Sequence, residues 1–199
     1  MPKIKIVESI NHPIESCVPD LVKLLQEIYQ RQEIMYQVPY EEITNINVEL
    51  DSSPDEDISV FNNKYAFVQS QCNRVVSILI DLKQELKRWQ IFKNRVDIFY
   101  RKARNLLLIE RPEIKNLKNK ELQEAATQNE LSDLKDIVDG VDNVIEELEH
   151  DVDIVKLKKE NLESVNVNLN RQQKVVEDMM ALSGIIGVRG VKVKLVVSQ

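Results

Sequence analysis

The chain has 199 residues, of which 43% are apolar, 30% charged and only 5% aromatic, with four glycines and six prolines. That composition suits long helices and argues against a compact mixed domain. Two cysteines, Cys17 and Cys72, without CxxC spacing exclude a disulfide framework and a cysteine zinc site, and imply reduced, buried thiols in an intracellular setting. The opening MPKIKIVESI lacks the apolar run of an export signal, and no stretch of the sequence has the apolar length of a membrane span. A cytoplasmic location without membrane contact follows, the cytoplasm of an infected host included.

The net charge of −6 conceals segregation along the chain. Residues 1–63 carry 4 basic and 12 acidic groups, residues 64–120 carry 14 and 5, and residues 121–180 carry 6 and 16. Either the basic and acidic segments pair with each other, or the basic segment meets an external anion.

In chain order, residues 2–10 alternate Ile4, Ile6 and Val7 with lysines, a short strand signal that Asn11, His12 and Pro13 end. Pro19 and Asp20 open an amphipathic helix over 19–37, with Leu21, Leu24, Leu25, Ile28 and Met35 at helical spacing and Pro39 as its stop. ITNINVEL then alternates like a strand, and residues 51–57, with Pro54 at their centre, form an acidic, turn-forming linker. Its carboxylates Asp55, Glu56 and Asp57 are read as a solvated run at the start of the next helix, not as a cation site.

A long helix begins near Ile58. Its seam runs Phe61, Tyr65, Val68, Cys72, Val75, Leu79, Leu82, Leu86 and Trp89, then Phe92, Val96, Phe99, Ala103 and Leu106, with one short step that overwinds the coil near Trp89. Arg111 and Pro112 interrupt it, which makes ERPEIKNLKNKE the bend. A second seam follows through Leu131, Leu134, Val138, Val141, Ile145, Leu148, Val152, Val155, Leu162, Leu169, Val176 and Met180. Lys159, Asn166 and Gln173 stand on it as polar members. They either fix register or mark a hydrated half. The tail SGIIGVRGVKVKLVVSQ reads as a strand or hairpin that the N-terminal strand can join.

The expected fold is therefore mainly α, an elongated antiparallel helical hairpin of coiled-coil type with a small β-containing base from the two termini. Its divisions are 1–57 (strand, amphipathic helix and acidic linker), 58–182 (hairpin) and 183–199 (C-terminal strand or hairpin). A seam this long, with few residues left for a globular core, predicts a homo-oligomer.

Enzyme chemistry has little support. No glycine occurs before Gly140, which excludes a phosphate loop there, and His12 and His150 fit no catalytic or zinc spacing. His150, among Glu149, Asp151 and Asp153, is read as an exposed helix position. No cofactor and no metal are expected. What stands out is a basic stretch in which Arg88, Arg95 and Lys102 recur every seven residues, beside Lys87, Arg101 and Arg104. Cations that track phosphates, interleaved with rings that stack on bases, are the equipment of single-strand binding. Trp89, Phe92 and Phe99 fall on the seam and are assigned to the core, which leaves Tyr100 as the stacking ring. Neutralisation by Asp133, Asp136, Asp139 and Asp142 of the second helix is the competing expectation.

An acidic lead-in, KYAFVQSQCNRVVSILIDLKQELKRW, the basic KNRVDIFYRKA and a second helix ending NLNRQQKVVEDMMAL together resemble the UvsY-type recombination mediators of tailed phages, over roughly residues 62–182. The resemblance implies a small, oligomeric, non-enzymatic helical protein that binds single-stranded DNA and helps a recombinase replace a single-strand-binding protein. On that reading Lys87, Arg88, Arg95, Tyr100, Arg101, Lys102 and Arg104 contact the nucleic acid. The extra N-terminal helix, the valine-rich tail and the acidic second helix depart from the pattern. The alternative is a structural or assembly adaptor, phage or cellular, in which the stripe only pairs within the protein.

Overall fold

The computed structural model describes residues 18–46, 58–182, 185–188 and 191–194. It is mainly helical: α1 (Val18–Glu33), α2 (Tyr40–Asn45), α3 (Ile58–Glu110), α4 (Pro112–Lys115), α5 (Lys120–Glu130) and α6 (Ser132–Leu182). Two short strands, β1 (Ile185–Val188) and β2 (Val191–Lys194), pair antiparallel with Ile185 opposite Lys194 and Val188 opposite Val191. The strand expected at residues 2–10, the acidic run 51–57, Cys17 and the side chain of Met180 lie outside the described residues. Among those residues the strands form a local ribbon, and a β base made by both termini is not supported. No described helix is long and apolar enough to cross a membrane.

The chain forms two compact units. The first comprises Met1–Gln37 and Leu82–Asp151, and the second Val38–Asp81 and Val152–Gln199. In the first unit α3 and α6 run antiparallel: Gln90 donates to Glu149 at 3.4 Å, and Lys93 pairs with Asp142. Their buried lines are Leu82, Trp89, Phe92, Val96, Phe99 and Ala103 on α3 and Leu134, Val138, Val141, Ile145 and Leu148 on α6, with Leu131 buried just before α6 begins. Ile137 and Val144 are buried as well. This widens the apolar stripe of α6 beyond the two positions per heptad that pair two helices. A third helix belongs to this unit, since α1 contributes its own buried line of Leu21, Leu24 and Ile28.

In the second unit α3 buries Phe61, Val68, Cys72, Val75, Ile78 and Leu79, and α6 buries Val152, Val155, Leu162, Leu169 and Val176. Burial, and then the nearby Glu163 carboxylate, hold the Cys72 thiol above its ordinary pKa, which keeps it protonated and unreactive. Residues 43–45, expected to begin a strand, instead form the end of α2. Pro39 occupies the N-cap position, Glu41 and Glu42 stand in the first turn, and Ile43 and Ile46, three residues apart, bury one face. Arg74 of α3 donates to both oxygens of Glu42, at 2.5 and 3.0 Å, and ties α2 to this unit.

Three corrections to the expected seam concern α3. Ile78 and Leu79 are both buried, and thereafter Leu82, Glu85, Trp89 and Phe92 form the stripe. The phase shift thus comes near residues 78–82, before Trp89, and it puts Glu85 where Leu86 was expected. At the far end Leu107 takes the buried place assigned to Leu106, and Tyr65 is exposed near the beginning. The bend also contains more than a turn. Pro112 starts α4, and Asn119 caps α5 by accepting from the Glu121 backbone N–H at 2.8 Å.

The polar seam residues of α6 are half-buried. Lys159 reaches Glu163 and Gln173 reaches Glu177, each one turn along their own helix. Asn166 differs, since its Oδ1 is buried without a hydrogen-bond partner. An orphaned acceptor of this kind costs on the order of 1–3 kcal/mol. Replacing Asn166 with Leu should therefore raise the thermal midpoint measured by circular dichroism, and an unchanged or lower midpoint would show that the amide is satisfied in solution.

Candidate nucleic-acid interface

The candidate residues all lie on α3 in the first unit, where the helix is long enough to present a seven-residue repeat as one stripe. Their aromatic neighbours are core. Trp89 and Phe92 are fully buried and meet edge to face, with ring centroids 5.8 Å apart, and Phe99 is buried beside them in the same stripe. Burying Trp89 creates a need for an acceptor, which the phase shift supplies: Glu85 Oε1 accepts from Trp89 Nε1 at 3.0 Å one turn away. The buried Glu85 carboxylate in turn takes the Arg88 guanidinium at 3.4 Å. Arg88 is thereby part of the support of a core tryptophan.

The rest of the stripe meets α1. On that helix Asp20, Leu24, Glu27 and Arg31 recur at spacings of four, three and four, so the buried line and these charges share one face. Glu27 Oε1 accepts from Arg95 Nη1 at 2.7 Å and from Arg31 at 2.9 and 3.2 Å. Both guanidiniums lie over Phe92, at 4.8 Å from the ring centroid for Arg31 and 5.9 Å for Arg95, so cation–π attraction adds to the ion pairs. Two turns further, Lys102 donates to Asp20 at 2.7 Å. α1 therefore lies antiparallel to α3, Glu27 against Arg95 and Asp20 against Lys102.

Arg104 faces Glu124 of α5 at 3.6 Å, and the neighbouring Lys93 pairs with Asp142 of α6. Of the six candidate cations, four thus have carboxylates of this same chain as partners: Arg88, Arg95, Lys102 and Arg104. Lys87 and Arg101 are exposed and carry no ion pair among the described residues, and Tyr100 is half-buried. The competing expectation is neutralisation of the stripe by the second long helix. Asp142 does act in that way on Lys93, whereas Arg95 and Lys102 are taken by α1, a source the charge count of residues 1–63 hinted at but could not place. Sequence reasoning missed Glu85, Glu27 and Arg31 altogether. The spacing of Glu85 to Trp89 and of Glu27 to Arg31, four residues in each case, was the available signal.

No group of three or more His, Cys, Asp or Glu residues able to hold a metal ion occurs among the described residues. No known family, curated protein or solved structure matches this chain.

Burial raises the pKa of Glu27, but the hydrogen bonds from Arg31 and Arg95 and their charges outweigh it, so the carboxyl sits below its ordinary value. Asp20 is lowered likewise, first by its hydrogen bond from Lys102 and then by that ammonium's charge. A depressed folded-state pKa contributes stability above the ordinary carboxylate range, which is lost as pH falls through the folded value. Glu27→Gln should melt below wild type at neutral pH, and the gap should close on acidification below about pH 5. A gap independent of pH would show that Glu27 acts through packing and not through its charge.

Proposed function

We propose that this chain is a non-enzymatic helical assembly protein, acting in the cytoplasm by binding protein partners, further copies of itself included, through the outer surfaces of its helices. The observation that carries this reading is the fate of the basic stripe. Four of its six cations are committed to carboxylates of the same chain, and one of those four also supports the buried Trp89. A surface built for phosphates would need those donors unencumbered, because each contact gains its affinity by releasing a counterion. The core assignment of Trp89, Phe92 and Phe99 points the same way, since it withdraws three rings from stacking.

A second reading keeps the resemblance to recombination mediators, with single-stranded DNA and a recombinase or single-strand-binding protein as partners. Lys87 and Arg101 favour it, being exposed cations two heptads apart on one helix with the half-buried Tyr100 next to Arg101. An oligomer would multiply such a weak site through avidity.

The two readings separate in a salt titration of the full-length protein with fluorescent oligo-dT, followed by anisotropy. The assembly reading predicts little or no binding even at low salt. The mediator reading predicts binding that falls on a log–log plot with a slope near 0.7 per phosphate contacted, and that weakens in Lys87→Glu with Arg101→Glu. Tight, steeply salt-dependent binding by wild-type protein would overturn the assembly reading.

A further inference from the structure

The outward side of α3 in the first unit has an unusual make-up. Ile91, Ile98 and Ile109 are 55%, 63% and 71% exposed. At 100° and 1.5 Å per residue, Ile91 and Ile109 return to the same azimuth after about five turns, roughly 27 Å along the axis, and Ile98 lies within about 20° of them. Lys87 stands one turn before Ile91, and Arg101 one turn after Ile98, where an open groove is lined by Ile98, Arg101, Lys102, Asn105 and Leu106. Between Leu82 and Ile109 the carboxylates of α3 are Glu85, which is buried, and Asp97, which is half-buried and about 120° round the helix from the isoleucines. This face is apolar and basic. Three isoleucines are left to water on one line of this face.

The outward side of α6 in the second unit has the complementary make-up. Leu157 and Val175 are 61% and 57% exposed and, like Ile91 and Ile109, are separated by the same roughly five turns. An exposed carboxylate follows each of them one turn later, Glu160 after Leu157 and Asp178 after Val175. Arg171 lies about 40° from that line and the two carboxylates about 60°, so the face sets two carboxylates against one cation.

We infer that the face of Ile91, Ile98 and Ile109 on one copy docks on the face of Leu157 and Val175 on a second copy. The inference rests on the assembly reading above and names its surface. Equal spacing lets both apolar anchors of one face meet both anchors of the other in either direction. The carboxylates Glu160 and Asp178 then come against a face that carries the exposed Lys87 and Arg101. A self-pairing of the α3 face would instead oppose cation to cation, which selects against it. Every copy offers one face of each kind, so the same contact either closes reciprocally in a two-fold pair or runs on into rings or chains.

The test is complementation between variants, read by sedimentation velocity on the full chain, with helix content checked by circular dichroism. Wild-type protein should associate with rising concentration. Ile91→Asp spoils only the basic–apolar face and Leu157→Asp only the acidic–apolar one, and each alone should weaken association about tenfold or more. Mixed, the two variants should give a species of two chains, because each retains the face the other lost. Lys87→Glu with Arg101→Glu serves as a second disrupted α3 face that leaves the isoleucines in place. If the single variants associate as wild type does, or their mixture stays monomeric, this surface is wrong while assembly stands. Monomeric wild-type protein would overturn both.

Discussion

One carboxylate, that of Glu27, organises the first unit. It lies between the guanidiniums of Arg31 and Arg95, and both lie over the Phe92 ring, whose edge-to-face partner is Trp89. Removing the carboxylate would leave two like charges crowded above one ring. Removing α1 would take from Arg95 and Lys102 their carboxylate partners Glu27 and Asp20. Burial of Leu21, Leu24 and Ile28 supplies the larger part of the attraction that holds α1 in the unit, and the charges fix which way it lies against α3. Apolar stripes alone would admit more than one direction.

A second constraint is the phase of α3. Two long helices that kept one strict heptad seam would have placed Leu86 inward and Glu85 outward. The shift at residues 78–82 reverses this, and a buried carboxylate is tolerated because Trp89 Nε1 and Arg88 both donate to it. The same rotation sets which azimuths of the helix face outward beyond Leu82. In this way a local packing event determines that Ile91, Ile98 and Ile109 line up in solvent with Lys87, and that Arg95 and Lys102 meet α1.

Much of the helical architecture was legible in the sequence. The seam from Leu131 through α6 to Val176 could be read position by position, as could the break at Pro112 and the core placement of Trp89, Phe92 and Phe99, because periodicity and proline chemistry act locally. Ile43 and Ile46 were misread because short apolar spacings fit both a strand and one face of a helical turn. The phase shift was misplaced by one heptad, since several neighbouring positions offer an apolar residue and only packing chooses among them. For the candidate site the cations themselves were legible and their partners were not. Asp20 and Glu27 lie some seventy to eighty residues from Lys102 and Arg95 in sequence, and only tertiary packing brings them together.

The docking of α1 on α3 is the claim from which the rest follows, and amide hydrogen exchange tests it most directly. If residues 21–31 pack as described, their amides should be protected to the same order as those of residues 92–99, and Arg95→Glu should lower protection in α1 more than in α3. Exchange of residues 21–31 at the rate of an unprotected peptide, while residues 92–99 remain protected, would contradict the account.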